Sequence, residues 1–130
     1  GGAVMMLDLD GFKPINDRYG HAMGDQILVR LADKLASAAR ATDVVARLGG
    51  DEFAILCPKL QGEDIEQFCS RLLTAVASAP ADETPGCRLG GSIGIACYPQ
   101  DGHSLEHLLN LADRAMYAAK NAGGHRWHIA

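Results

Sequence analysis

Two pairs of carboxylates sit at the ends of apolar runs in this 130-residue chain. The first run, Met5-Met6-Leu7-Asp8-Leu9-Asp10-Gly11, closes in alternating aspartates. The second pair follows a double glycine in Gly49-Gly50-Asp51-Glu52-Phe53. Residues 44–48 lead into that turn and residues 54–57 lead out, both apolar enough for strands. Glycine reaches positive φ without steric penalty, so two of them between strands mark a tight hairpin. Adjacent acids held rigidly there repel each other, and a cation shared with a second set of acids relieves that repulsion. Asp8 and Asp10 supply the second set, because alternate strand residues share a face. Hard oxygen ligands from two strands suit Mg²⁺, which takes one or two carboxylates and completes its shell with phosphate and water. The chemistry in view is metal-assisted phosphoryl or nucleotidyl transfer. Either motif alone reads more simply as a solvated strand end or a turn; it is their conjunction that carries the reading.

The elements that must position these acids follow from periodicity. Residues 3–7 form a continuous apolar run, as in a strand covered on both faces. Residues 11–24 are polar and punctuated by glycine, which predicts a loop with at most a short helix. Residues 25–40 are helical, with Ile27, Leu28, Leu31, Leu35 and Ala39 on one face. Residues 43–58 are the hairpin. Residues 62–79 form a second amphipathic helix through Ile65, Phe68, Leu72 and Val76. A proline-bearing loop over 80–86 precedes a strand over 87–98. Residues 99–103 turn, and Ser104 caps a third helix that ends near Gly123-Gly124. Residues 126–130 are a last strand. Strands alternating with helices imply a sheet with helices packed on its faces, of unspecified strand order.

The ordered set Asp8-Leu9-Asp10-Gly11-Phe12-Lys13-Pro14-Ile15-Asn16-Asp17, Gly20-His21, Gly24-Asp25 and Gly49 to Phe53 resembles the GGDEF domain of bacterial diguanylate cyclases. The resemblance runs from Val4 to about Trp127. It implies an α/β (α+β) fold with a ferredoxin-like core of the nucleotidyl-cyclase and polymerase-palm type, a central, mostly antiparallel sheet flanked by helices. It implies that Asp8 binds metal with help from the Leu9 carbonyl, Asp10 being more peripheral. Asp51 would be the metal-bridging acid, and Glu52 a metal partner and candidate general base.

Lys13 follows Gly11 and Phe12 in a strand-to-helix loop, where exposed backbone N–H groups and a lysine can hold phosphate oxygens. A solvated surface lysine is the plainer reading, but the resemblance places phosphate at Phe12 and Lys13. It makes Asn16 and Asp25 the guanine readers, a carboxylate and an amide suiting the N1–H and N2–H₂ donors. His21 is expected to make a structural hydrogen bond. Lys120 is implied as a second phosphate contact. Some relatives of that family carry an arginine where this chain has Gly124, and Arg126 would substitute if the loop folds back. Arg40-Ala41-Thr42-Asp43 matches an inhibitory site for the cyclic product, which Arg71 would complete from a neighbouring element; arginine's fork suits phosphate or a guanine edge.

Composition bounds these expectations. The net charge of −4 argues against a nucleic-acid groove. Four cysteines without Cys-x-x-Cys spacing read as free thiols of a reducing cytosol. The sequence has no signal peptide or membrane-spanning run, so a cytoplasmic domain is expected, free-standing or as the cytosolic part of a membrane-anchored sensor. The abrupt start at Gly1-Gly2 leads to the expectation of one domain, residues 1–130, cut from a longer chain with other domains. The resemblance implies conversion of two GTP into cyclic di-GMP and two pyrophosphates, with two Mg²⁺ (or Mn²⁺) ions at a homodimer interface. Two alternatives stay open. One is an inactive module binding GTP or cyclic di-GMP to regulate an attached domain; the other is an ATP cyclase, which Asn16 and Asp25 disfavour.

Overall fold

A computed structural model describes residues 1–130. Its elements run β1 Gly2–Asp10, α1 Phe12–Tyr19, α2 His21–Ala38, β2 Val44–Gly49, β3 Glu52–Cys57, α3 Asp64–Ser78, β4 Gly90–Tyr98, α4 Leu105–Asn121 and β5 Arg126–Ile129. The strands form one five-stranded sheet in the order β2-β3-β1-β4-β5. β1 pairs antiparallel with both β3 and β4, and β5 joins β4 in parallel. The fold is α+β, with a mixed sheet and four helices.

The unbroken apolar run of β1 is explained by its central place. Met5, Leu7 and Leu9 enter the larger core, with Ile27, Leu31 and Leu35 of α2 and Phe68, Leu72 and Val76 of α3. Val4 and Met6 point the other way, onto Leu108, Ala112 and Met116 of α4. Strand alternation therefore puts Asp8 and Asp10 on the α4 side. The hairpin of β2 and β3 turns at Gly50, whose φ of 52° is left-handed, and Arg47 clamps it by donating to the Gly50 carbonyl at 2.9 and 2.7 Å.

Three boundaries differ from the sequence expectations. Residues 11–24, expected as a loop with at most a short helix, hold the eight-residue α1 and the opening turn of α2. Only Phe12 and Ile15 of α1 are buried, so its apolar signal is two residues three apart. Gly20, at φ 90°, breaks the two helices apart. α2 thus starts at His21 rather than at residue 25. β4 starts at Gly90 instead of residue 87, although Leu89 just outside it is still buried. Ser104 caps α4 as expected, accepting the His107 N–H at 3.1 Å. The four cysteines are free, and burial pushes the Cys57 and Cys69 thiols up to about 12.

α4 can approach the sheet only because residue 94 is glycine. A Cβ there would lie 1.9 Å from the Ala112 carbonyl oxygen and 2.2 Å from the Met116 nitrogen. The obstacle is helix backbone, which cannot swing aside. Gly94→Ala should cost about 3 kcal/mol of stability, at the upper end for overpacked sites, and lift α4 away from β1. Urea denaturation checks this; an unchanged midpoint would contradict the packing described.

Candidate active site

The carboxylates meet at one end of the sheet. Asp8 is opposite Glu52 in the β1–β3 ladder, and the Leu9 N–H donates to the Asp51 carbonyl at 3.1 Å. The backbone of the first strand and that of the hairpin are thus joined where their acids lie. Burial pushes the Asp8 carboxyl above its usual range, the Asp51 carboxylate beside it pushes further, and Lys120 only partly offsets both. Two of the acids named from sequence, Asp8 and Asp51, are therefore brought together as a like-charged pair. Glu52 is half-buried next to them. No cluster of three or more His, Cys, Asp or Glu side chains closes into a metal cage. Two hard carboxylates with room for phosphate and water nevertheless fit Mg²⁺ or Mn²⁺, and a cation would relieve the repulsion that raises Asp8.

Asp10 has a different office. Its carboxylate accepts from the Ser92 hydroxyl at 2.9 Å, from the Lys120 ammonium at 2.9 Å and from the His125 backbone N–H at 2.9 Å. Burial alone would raise its pKa; the hydrogen bonds from Lys120, His125 and Ser92 outweigh burial and leave it below the usual value. Gly124 is required here. Its φ is +75°, and a Cβ would lie 2.7 Å from an Asp10 oxygen. Lys120 also reaches Asp8 at 3.3 Å. Burial lowers its pKa, but hydrogen bonding to Asp10 and the charges of both aspartates win, and the net direction is up. Ser92 and His125 had no sequence signal, since pattern does not reveal that β4 and the residue before β5 reach the end of β1.

The remaining residues fall into three places. Phe12 is buried, so its side chain packs in the core and only its backbone faces the β1–α1 turn. Lys13 is exposed on the first turn of α1 and pairs with Asp17 at 3.0 Å. Asn16 packs against Gly24, where a Cβ would come within 1.8 Å of its amide oxygen. That oxygen is buried without a hydrogen-bond partner. Asp25 follows Gly24 on the exposed side of α2, bordering a hollow of about 510 Å³ with Arg30 and Glu83. His21, expected to make a structural hydrogen bond, is instead exposed at the start of α2. The Arg126 Nε donates to the Gly124 carbonyl at 3.0 Å. Away from the acids, Asp43 accepts the Arg40 N–H at 2.8 Å, while the Arg40 guanidinium reaches Asp64 at 3.9 Å. Arg71 lies over the Phe68 ring in the groove between α2 and α3. It is seven residues along α3 from Asp64, about 10 Å by helical rise.

A family model described as "Diguanylate cyclase, GGDEF domain" matches residues 1–126. The chain belongs to the GGDEF family. It is 44% identical over 121 residues to the diguanylate cyclase TpbB of Pseudomonas aeruginosa, covering 91% of this chain and 28% of that protein. It is 41% identical over 121 residues to the bifunctional diguanylate cyclase/cyclic di-GMP phosphodiesterase MucR of the same species, covering 93% of this chain and 18% of MucR. The chain thus spans under a third of the length of these multi-domain or longer relatives. The crystal structure of the GGDEF domain of TpbB (YfiN) superposes with a TM-score of 0.88 at 38% identity, covering 99% of this chain and 81% of that one. The GGDEF domain of DgcB from Caulobacter crescentus, solved with c-di-GMP, gives 0.85 at 28% identity, covering 98% and 77%. No helix of this GGDEF domain is long and apolar enough to cross a membrane.

Asp8 and Asp10, two residues apart, should respond oppositely to loss of charge. Asp10 is held below its ordinary 3.8, so its contribution is complete above that value and is lost as pH falls through the lower folded one. Lys120 is held above its ordinary 10.5, so its contribution is complete below that and is lost as pH rises through the raised value. Asp8 is raised, so its ionisation at neutral pH costs stability. Asp10→Asn should lose about 2 kcal/mol at pH 7, the scale of hydrogen bonds to a charged group. Asp8→Asn should leave the metal-free chain as stable as the parent or more so. Urea midpoints at pH 7 decide; equal losses for the two variants would contradict the assignment.

Proposed function

We propose that this GGDEF domain is a diguanylate cyclase catalytic domain, joining two GTP into cyclic di-GMP with release of two pyrophosphates. The observation that carries the reading is the Asp8–Asp51 confrontation at the end of the sheet, reinforced by the Leu9–Asp51 backbone bond. Relatives named as diguanylate cyclases support it. In each half-reaction a 3′-oxygen forms a bond to the α-phosphorus of the other nucleotide, and the bond from that phosphorus to the bridging oxygen of pyrophosphate breaks. A bound Mg²⁺ or Mn²⁺ would supply neutralisation of phosphate charge and a lowered pKa for the attacking hydroxyl. Asp8 and Asp51, with the Leu9 carbonyl and Glu52, would hold it. The carboxylates of Asp51 and Glu52 are the acceptors at hand for the 3′-hydroxyl proton.

The chain's other residues bind and orient. The opening N–H groups of α1, at Phe12 and Lys13, have no side-chain cap, since Gly11 precedes them, and suit phosphate oxygens. Lys120 stabilises the aspartates and is the nearest ammonium to the transferred phosphate, with Arg126 behind it. The unpartnered Asn16 amide oxygen and the exposed Asp25 carboxylate offer acceptors to the N–H donors of guanine, which adenine does not match. One domain supplies one set of acids, so the cyclisation takes two domains face to face, each presenting one GTP. Arg40 and Asp43, with Arg71, would bind the cyclic product and inhibit. A domain of this family in a longer chain in the cytoplasm would couple that output to other domains.

A regulatory, non-catalytic role is the second reading. Lys120 already pairs with Asp8 in this chain and partly offsets its charge, as a site without a metal would use it. Incubation with GTP and Mg²⁺ followed by chromatography separates the two readings. The cyclase reading predicts cyclic di-GMP, a rate per protein that climbs with protein concentration, and loss of at least about a thousandfold in Asp51→Ala, the scale of a removed electrostatic clamp. No product, or a rate per protein flat across dilution, contradicts it. Arg40→Ala should abolish product inhibition while sparing the initial rate; undiminished inhibition in that variant contradicts the product site.

A further inference from the structure

We infer that His125 is a positioning residue: its ring seats the α4–β5 turn on β4, so that Asp10 holds the Lys120 ammonium toward the nucleotide's phosphates. The assignment rests on the guanine-nucleotide reading above. His125 has a left-handed backbone, with φ of 48°. That region disfavours residues with a Cβ, and histidine is among the few types enriched there. Here the ring is put to use. Its Nδ1 accepts the Gly91 N–H at 3.2 Å, while the His125 N–H donates to Asp10 at 2.9 Å. β5 pairs with β4 from Arg126 opposite Ser92. Gly91 lies one step before that pair, so the ring nitrogen extends the ladder past its backbone end. Gly90 leaves room for the ring, since a Cβ there would lie 3.1 Å from the His125 Nδ1.

The other bonds of the turn lead back to α4. The Gly123 N–H ends on the Lys120 carbonyl at 3.2 Å, and the Gly124 N–H on the Ala119 carbonyl at 3.0 Å. Before β5 begins, His125 therefore ties this turn to the sheet, through its ring to β4 and through its N–H to β1. Asp10 receives that N–H on Oδ2 and the Lys120 ammonium on Oδ1, both at 2.9 Å. Each carboxylate oxygen has its own donor, so the carboxylate cannot rotate without losing one of them. Lys120 also reaches Asp8, at 3.3 Å. With Asp8 given over to a metal ion, Asp10 is the anchor that remains for Lys120. Releasing the ring loosens the turn, then the Asp10 carboxylate, then the ammonium it holds.

Two variants separate ring from backbone. His125→Gly removes the acceptor and keeps the left-handed region open; His125→Asn keeps an acceptor, because its Oδ1 is attached to Cγ as Nδ1 is. Each is made in the parent chain and in Lys120→Ala. Hydrogen exchange of the Gly91 amide is followed by NMR without nucleotide. Affinity for a GTP analogue with an uncleavable methylene α–β bridge is measured by calorimetry with Mg²⁺. His125→Gly should speed Gly91 exchange at least about fivefold and weaken the analogue about fivefold, the scale of one neutral hydrogen bond. His125→Asn should match the parent in both. Lys120→Ala should itself bind about tenfold more weakly, and in that background His125→Gly should cost nothing further, because its effect runs through the ammonium. Unchanged Gly91 exchange would overturn the ring's contact. Unchanged analogue affinity, an equal loss in both backgrounds, or no rescue by asparagine would overturn the positioning role. Failure of the parent chain to bind the analogue would overturn the guanine-nucleotide reading, and the role of His125 with it.

Discussion

Two negative charges held against each other at the end of a buried sheet are the constraint on which this domain turns. Asp8 and Asp51 come from β1 and from the hairpin, and the Leu9–Asp51 backbone bond prevents them from drifting apart. The sheet cannot relax this repulsion, because β1 is pinned on both sides by β3 and β4 and covered on both faces. Repulsion of this kind at a carboxylate pair is offset by a nearby cation, a part that Lys120 fills incompletely here. Neighbouring Asp10 shows how the same side chain behaves when its hydrogen bonds are complete. It anchors Lys120, Ser92 and the 123–125 loop, and so fixes the far wall of the site.

The packing of α4 links this electrostatic arrangement to the core. Lys120 sits in the last turn of α4, and its reach to both aspartates depends on how closely that helix lies on β4. Gly94 sets that distance. A glycine in the middle of a strand weakens it in isolation, yet here it lets a helix backbone and a strand backbone touch. Gly24 does the same for α1 and α2 by leaving room for the Asn16 amide, and Gly124 does so for the Asp10 carboxylate. Three glycines distributed along the chain thus each permit a close approach, Gly94 of helix backbone and Gly24 and Gly124 of a polar side chain.

Much of this was legible before any coordinates. The alternating aspartates and the double-glycine turn could be assigned to strand ends because strand periodicity and glycine's conformational range are local rules. The resemblance to GGDEF domains named the family that the comparison with known proteins then established. What pattern missed was non-local or masked. The extent of α1, anticipated at most as a short helix, was hidden because only Phe12 and Ile15 face inward, leaving six polar or exposed residues around them. Ser92 and His125 could not be tied to Asp10, since strand order and the return of the chain after α4 leave no mark in periodicity. Lys120 was reached only through the resemblance, as a phosphate contact; its two aspartates are more than a hundred residues away, so no spacing pointed to them.

The central claim is that Asp8 and Asp51 share a divalent ion when nucleotide is bound. Mn²⁺ binding, followed by electron paramagnetic resonance in the presence of a non-cleavable GTP analogue, tests it most directly. The account predicts one or two bound Mn²⁺ per domain, with loss in Asp8→Asn and in Asp51→Ala alike. Bound Mn²⁺ that survives both substitutions undiminished would contradict it.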